Sequence, residues 1–248
     1  MSNAQIKLVR KLAQKKYRTE TGLFVAEGLR LCEEVPTAQI EFGFYTREFI
    51  SDERAARLVK RLKNLTEISA STMERLSDTQ TPQGILLVVR QRLATLEEVL
   101  AKKIIAVLDG VQDPGNVGTI LRTATAFDCG MILLEGSADI FNPKVVRSSM
   151  GAIFYMPIAV ASRADFLQLR GVELLAAAVD SSAEIYSRHD YTKAPVAIVF
   201  GSEANGVSKE ILDVARKIFI PMEGHAESLN VATSAAIIIS EAVRQSRL

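Results

Sequence analysis

Residues Val196–Val243 read VAIVFGSEANGVSKEILDVARKIFIPMEGHAESLNVATSAAIIISEAV. Two apolar runs inside this stretch, Val196–Phe200 and Lys217–Ile220, have the length of buried strands. The first run opens into Gly201-Ser202-Glu203-Ala204-Asn205-Gly206, and the second into the loop from Pro221 to Asn230. The second loop feeds a helix on which Ala232, Ala236, Ile239 and Val243 recur along one face. Open α/β sheets bind ligands outside the carboxyl ends of their strands. Two loops of glycine, small and amide residues at such ends predict a ligand site built largely from backbone.

Upstream, Ile104–Leu108, Met131–Leu134 and Val172–Val179 are further strand candidates with helical segments between them. This alternation over 103–248 predicts a parallel sheet covered on both faces. Between the first two lies Asp113-Pro114-Gly115-Asn116-Val117-Gly118-Thr119-Ile120-Leu121-Arg122, which follows a strand and opens a helix. The glycines at 110, 115 and 118 do not form the dinucleotide-binding pattern, although a helix start of this kind suits an anion. Asn116 fits either a helix cap or a site, while Arg122, two turns in, reads as a solvated surface residue. Glu203, Ser228 and Asn230 each carry a structural and a functional reading, and their joint presence beside glycines at strand ends favours the site.

Strands and helices also alternate over 1–92, which predicts a smaller α/β domain. Its expected elements are a basic amphipathic helix Gln5–Lys16, a strand Leu23–Ala26, a helix Glu27–Glu34 closed by Pro36, and a strand Ile40–Tyr45. A charged helix Glu53–Leu62, a capping box Ser71-x-x-Glu74, a turn Thr81–Gly84 and a strand Ile85–Val89 complete it. Residues 93–102 read as a linker with one helical turn at Thr95-Leu96-Glu97-Glu98.

Composition bounds the rest. With 248 residues, 48% of them apolar, the chain can bury a sizeable core. No apolar run reaches bilayer length, and the N-terminus lacks a secretory apolar region. Cys32 and Cys129 form no pattern, so a reducing, cytoplasmic setting and structural roles are expected. His189 and His225 lack metal-ligand spacing, and no metal is expected. The net charge of +1 does not by itself suggest nucleic acid; its distribution is more telling. Lys7, Arg10, Lys11, Lys15, Lys16 and Arg18 face only Glu20, a start that fits phosphate neutralisation as well as a solvated helix face.

The segments FGSEANGVS, IPMEGHAESLNVATSAAI and DPGNVGTILRTA resemble, in order and spacing, the three motifs of the SpoU (TrmH) family of SPOUT RNA methyltransferases. The similarity extends over nearly the whole chain, and KKYRTETGLFVAEGLRL resembles part of that family's ribosomal-protein-like substrate-binding domain. The resemblance implies a C-terminal domain with a trefoil knot, pairing as a homodimer, and S-adenosylmethionine as cofactor. It further implies methyl transfer to a ribose 2′-hydroxyl of RNA, with ribosomal RNA expected from the separate N-terminal domain. Transfer RNA, base methylation and a catalytically idle RNA-binding factor are the alternatives. By the resemblance Phe200, Gly201, Gly206, Ile220, Met222 and Leu229 wall the cofactor. Glu203, Ser228 and Asn230 face its reacting end, and Asn116 and Arg122 complete the catalytic set. A guanidinium stays protonated in proteins, so Arg122 is expected to clamp phosphate and polarise the hydroxyl.

Overall fold

The computed structural model describes residues 2–180, 183–193, 195–225 and 227–246. Ala226, inside the second loop read from the sequence, lies outside them. The chain forms two compact units, one of Met1–Arg92 with Asp139–Phe154, the other of Leu93–Ala138 with Tyr155–Leu248.

The first unit holds a four-stranded sheet of β1 (Leu23–Glu27), β2 (Ile40–Thr46), β3 (Leu65–Ile68) and β4 (Ile85–Arg90), in the order β1-β4-β2-β3. Strand β4 pairs antiparallel with β1 and β2, while β3 runs parallel to β2. Leu86 and Val88 on β4 pack with Phe42, Phe44, Val9 and Leu12 into one apolar cluster. Strand β3 was not expected, because LTEI is short and its partner is remote in sequence.

Three local expectations change. The predicted helix Gln5–Lys16 is broken into Asn3–Lys11 and Lys15–Thr21. The buried Arg18 guanidinium explains the break, since its Nη1 donates to Leu12 O and Ala13 O at 2.8 Å each, carbonyls that a continuous helix would use. The capping residue of helix Ala70–Leu76 is Ser69, whose hydroxyl accepts from Thr72 N at 3.3 Å, rather than Ser71. Residues 139–154, read as part of the C-terminal domain, pack within the first unit. Arg18 Nε and Nη2 donate to Asp139 Oδ2 at 2.9 and 2.6 Å. Phe141 and Phe154 lie against Phe24, with centroids 5.0 and 6.2 Å away. Cys32 is buried here, and burial, then Glu27 and Glu33, pushes its thiol up and keeps it inert.

The second unit is a seven-stranded sheet, parallel throughout its pairings. Its strands are β5 (Ile104–Asp109), β6 (Gly130–Leu134), β7 (Ile158–Ala161), β8 (Glu173–Ala177), β9 (Glu184–Ile185), β10 (Val196–Gly201) and β11 (Arg216–Phe219). Their order is β7-β6-β5-β10-β8-β11-β9. Strands β7 and β9 were not expected; β7 has four residues and β9 two, at the two edges of the sheet. The core strands are buried without alternation, as a sheet covered on both faces requires. Strand order reverses where β10 joins β5, with Gly201 registered against Asp109. The last helix, Val231–Ser246, packs on β5 and on the helix Pro114–Ala126 through its apolar face, including Ala232, Ala235, Ile239 and Val243. Among the described residues no helix is long and apolar enough to cross a membrane.

Candidate functional site

A cavity of about 890 Å³ opens at the carboxyl ends of β10, β8 and β11. Its size suits a small-molecule ligand of cofactor dimensions. Phe200, Gly201, Glu203 and Gly206 contribute from the β10 end, and Ile220, Met222, Ser228 and Leu229 from the β11 loop. All eight residues expected at the cofactor therefore line one cavity. Ile238 of the last helix adds to the apolar wall, while Asp180 and Glu203 supply carboxylates.

The β10 loop is a closed hairpin in miniature. Ser202 and Gly206 exchange backbone hydrogen bonds at 3.0 and 2.9 Å, and Asn205 N donates to Ser202 Oγ at 3.1 Å. Gly206 adopts φ +67°, a left-handed conformation that glycine takes without steric cost.

At one end of the cavity three polar side chains join the loops. Asn116 Nδ2 donates to Glu203 Oε1 at 2.7 Å, and Asn230 Nδ2 donates to Asn116 Oδ1 at 3.0 Å. Asn230 Oδ1 meanwhile accepts from Ala232 N at 2.9 Å and Thr233 N at 3.3 Å, capping the last helix. Asn230 thus caps the last helix and also lines the cavity. Asn116 is not the cap of its own helix: Asp113 Oδ1 accepts from Asn116 N at 2.9 Å and takes that role. Burial pushes the Glu203 carboxyl up, but hydrogen bonds from the Asn116 amide and from the backbone of Glu203, Gln112 and Asp113 outweigh it. The group is held below the ordinary carboxylate range and is ionised at neutral pH.

Arg122 stands apart from this chain. It is exposed on the helix Pro114–Ala126 and does not line the cavity. Ser228 is exposed at the cavity, and no hydrogen bond ties its hydroxyl to another described residue.

The wall from Ala177 to Asp180 was missed by sequence reading. The strand candidate Val172–Val179 ended in the right place, but nothing local shows that β8 lies between β10 and β11. Asp109, the last residue of β5, was missed as well. Among the described residues no group of three or more His, Cys, Asp or Glu could hold a metal.

A family model described as the SpoU rRNA Methylase family matches residues 103–240, and a second, the MRM3-like substrate binding domain, matches residues 3–87. The chain is 34% identical to the 23S rRNA (guanosine(2553)-2'-O)-methyltransferase RlmP of Bacillus subtilis, over 96% of this chain and 95% of that protein. It superposes on the AdoMet-bound rRNA methyltransferase from Sinorhizobium meliloti with a TM-score of 0.85 and 33% identity, covering 98% of this chain and 95% of that one. The SpoU methyltransferase AviRb from Streptomyces viridochromogenes, in complex with AdoMet, gives a TM-score of 0.85 at 25% identity, covering 98% of each chain.

Proposed function

The chain belongs to the SpoU rRNA methylase family, and from that premise we propose that it transfers a methyl group from S-adenosylmethionine to a ribose 2′-hydroxyl of ribosomal RNA. The observation that carries this reading is the Glu203–Asn116–Asn230 chain closing one end of a cofactor-sized cavity. The cavity fits S-adenosylmethionine by its chemistry: Phe200, Ile220 and Leu229 suit an adenine face, and two carboxylates suit a cation. When bound, this cofactor supplies an electrophilic methyl on a sulfonium whose leaving group is a neutral thioether.

The protein's own part is alignment and the handling of one proton. Both amide groups of Asn116 and Asn230 are committed to the chain described above, so these residues hold the loops in place. Arg122 and Ser228, whose side chains bond to no other described residue, have donors to offer an RNA ribose and its phosphate. In this reading Arg122 clamps the phosphate and polarises the hydroxyl, and Ser228 orients it. Transfer of labelled methyl to ribosomal RNA tests the assignment. The label is expected in alkali-resistant dinucleotides, because a methylated 2′-oxygen cannot attack the adjacent phosphate. Label released wholly in alkali-labile nucleotides would mean base methylation instead.

The first unit supplies the RNA-binding face. Lys7, Arg10, Lys11, Lys15 and Lys16 are exposed on the first two helices, with Lys11 Nζ 4.9 Å and Lys16 Nζ 5.9 Å from the Tyr17 ring centroid. Replacing Lys11 and Lys15 by Gln is expected to weaken RNA binding by about tenfold at physiological salt. The slope of log K against log salt should flatten by roughly 0.7–0.9 per lost phosphate contact. A filter-binding salt series with an unchanged slope would remove these lysines from the interface.

The same reading includes a homodimer, a trefoil knot and a cytoplasmic setting with the ribosome. Strand β11 inserts between β8 and β9, which are consecutive in sequence, and the chain then returns to β5, a path that supports threading. Thr233, Ala236 and Ser240 leave a small-residue face of the last helix only partly covered, which supports pairing. Light scattering is expected to give twice the 27.1 kDa chain mass at micromolar concentration. A monomer mass there would remove the dimer.

A further inference from the structure

Asp109 ends the apolar strand β5, yet it is 2% exposed and carries a carboxylate. A carboxylate so placed must be satisfied by donors, and the donors show what it holds. Its Oδ2 accepts from Ser208 N at 2.7 Å, immediately after the Gly201–Val207 loop. Its Oδ1 accepts from Arg163 Nε at 2.7 Å. Arg163 is itself fixed, with Nη2 donating to Glu135 O and backbone N donating to Glu135 Oε2, both at 2.9 Å. Three residues past Asp109, Gln112 N donates to Glu203 Oε2 at 3.5 Å, beside the bond from Asn116 to the other oxygen. Between these points Ser137 Oγ donates to Leu108 O at 2.9 Å and accepts from Gly110 N at 3.0 Å, fixing the turn.

The segment Asp109–Gln112 therefore grips the loop at its base and at Glu203. We infer that Asp109, held by Arg163, is a positioning residue that sets where Glu203 stands at the reacting end of the cavity. Asp109 touches neither the cavity nor Glu203; it acts through Ser208 N and through the turn that follows it. The register of β10 on β5 fixes the other side of the loop, since Gly201 lies opposite Asp109. A loop held at three points offers a cofactor a formed wall, and ligand binding then loses less to ordering. The inference rests on the methyltransferase reading for the identity of the ligand, but the clamp itself does not.

Asp109→Asn keeps the size of the side chain and turns one acceptor into a donor, facing either Ser208 N–H or Arg163. S-adenosylmethionine affinity is expected to fall at least tenfold and kcat for RNA methylation about a hundredfold, consistent with loss of charge-assisted bonds. Asp139→Asn, which weakens the buried pair with Arg18 in the first unit, is the stability control: its Tm should fall while cofactor affinity is unchanged. Arg163→Gln, at a side chain that is one-third exposed, removes the second support from Asp109. It is expected to speed hydrogen exchange at the Gly206 and Ser208 amides about tenfold without cofactor present. If Asp109→Asn binds the cofactor and turns over within twofold of the wild type, with only Tm lowered, the positioning role is overturned. If Asp109→Asn does not fold, unchanged exchange at both amides and unchanged kcat in Arg163→Gln overturn it equally. A wild-type chain that fails to bind S-adenosylmethionine would sink the methyltransferase reading alone, because the exchange readout needs no cofactor.

Discussion

If Arg122 plays the proposed part, Arg122→Ala is expected to lower the turnover of RNA methylation by about a hundred- to a thousandfold, the usual cost of removing one charge-directed contact at a reacting centre. Affinity for S-adenosylmethionine stays near the wild-type value, because Arg122 lies outside the cavity. Stability changes by only about half a kcal/mol, as for a solvated surface residue. Its exposure and its position on the helix that carries Asn116 make this separation clean: the guanidinium has no hydrogen bond or ion pair to another described residue. Arg122→Lys keeps the charge and loses the planar fork, and is expected to restore little. Single-turnover rates with saturating cofactor check both variants. Substantial activity in the alanine variant would end the catalytic role, whereas full rescue by lysine would reduce Arg122 to a point charge on phosphate.

Gly201→Val is expected to abolish cofactor binding, and the cause is the chain's own backbone. A Cβ at Gly201 would lie 2.0 Å from Gly206 C and 2.1 Å from Val207 N. No side chain can yield there, because both neighbours are main chain, so the Ser202–Gly206 bridge must open. By the family resemblance Gly201 walls the cofactor; the loop's own closure adds a structural penalty. Overpacking of this kind costs about 3 kcal/mol, or roughly 6–12 °C in Tm for a chain of this size. Gly206→Ala is the contrast: its Cβ would meet open space, and only the left-handed backbone opposes it, at about 1–2 kcal/mol. Calorimetry should therefore find no binding for Gly201→Val and weakened binding for Gly206→Ala. Wild-type affinity in Gly201→Val would refute the loop closure described here.

Much of the second unit was legible in the chain because its signals are local. Val196–Phe200 is a continuous apolar run between polar loops, and a buried parallel strand needs nothing more. The segment from Asp113 was likewise read as opening a helix, although the cap is Asp113 and not Asn116, the residue offered for that role. The loops after β10 and β11 were placed at strand ends by the same rule, and they meet at one cavity. In the first unit the same reading failed at Lys11–Lys15, where the apolar spacing continues but the helix does not. A distant acidic partner, Asp139, decided that break by burying Arg18.

The main strands and helices, the short strands β3, β7 and β9 excepted, were thus determined by the sequence itself, since periodicity and turns are properties of neighbours along the chain, while the chemistry came from the motifs' resemblance to a known family. Tertiary structure alone decided that β10 sits beside β5 and that β8 lies between β10 and β11. It also decided that Asn116 would meet Glu203 across 87 residues and Asn230 across 114. Asp109 shows the division most plainly: in sequence it is one acid at the end of an apolar run, with no periodicity to mark it. Its role comes from donors 54 and 99 residues away, which only the packing of the sheet brings within hydrogen-bond distance of a carboxylate that cannot be buried without them.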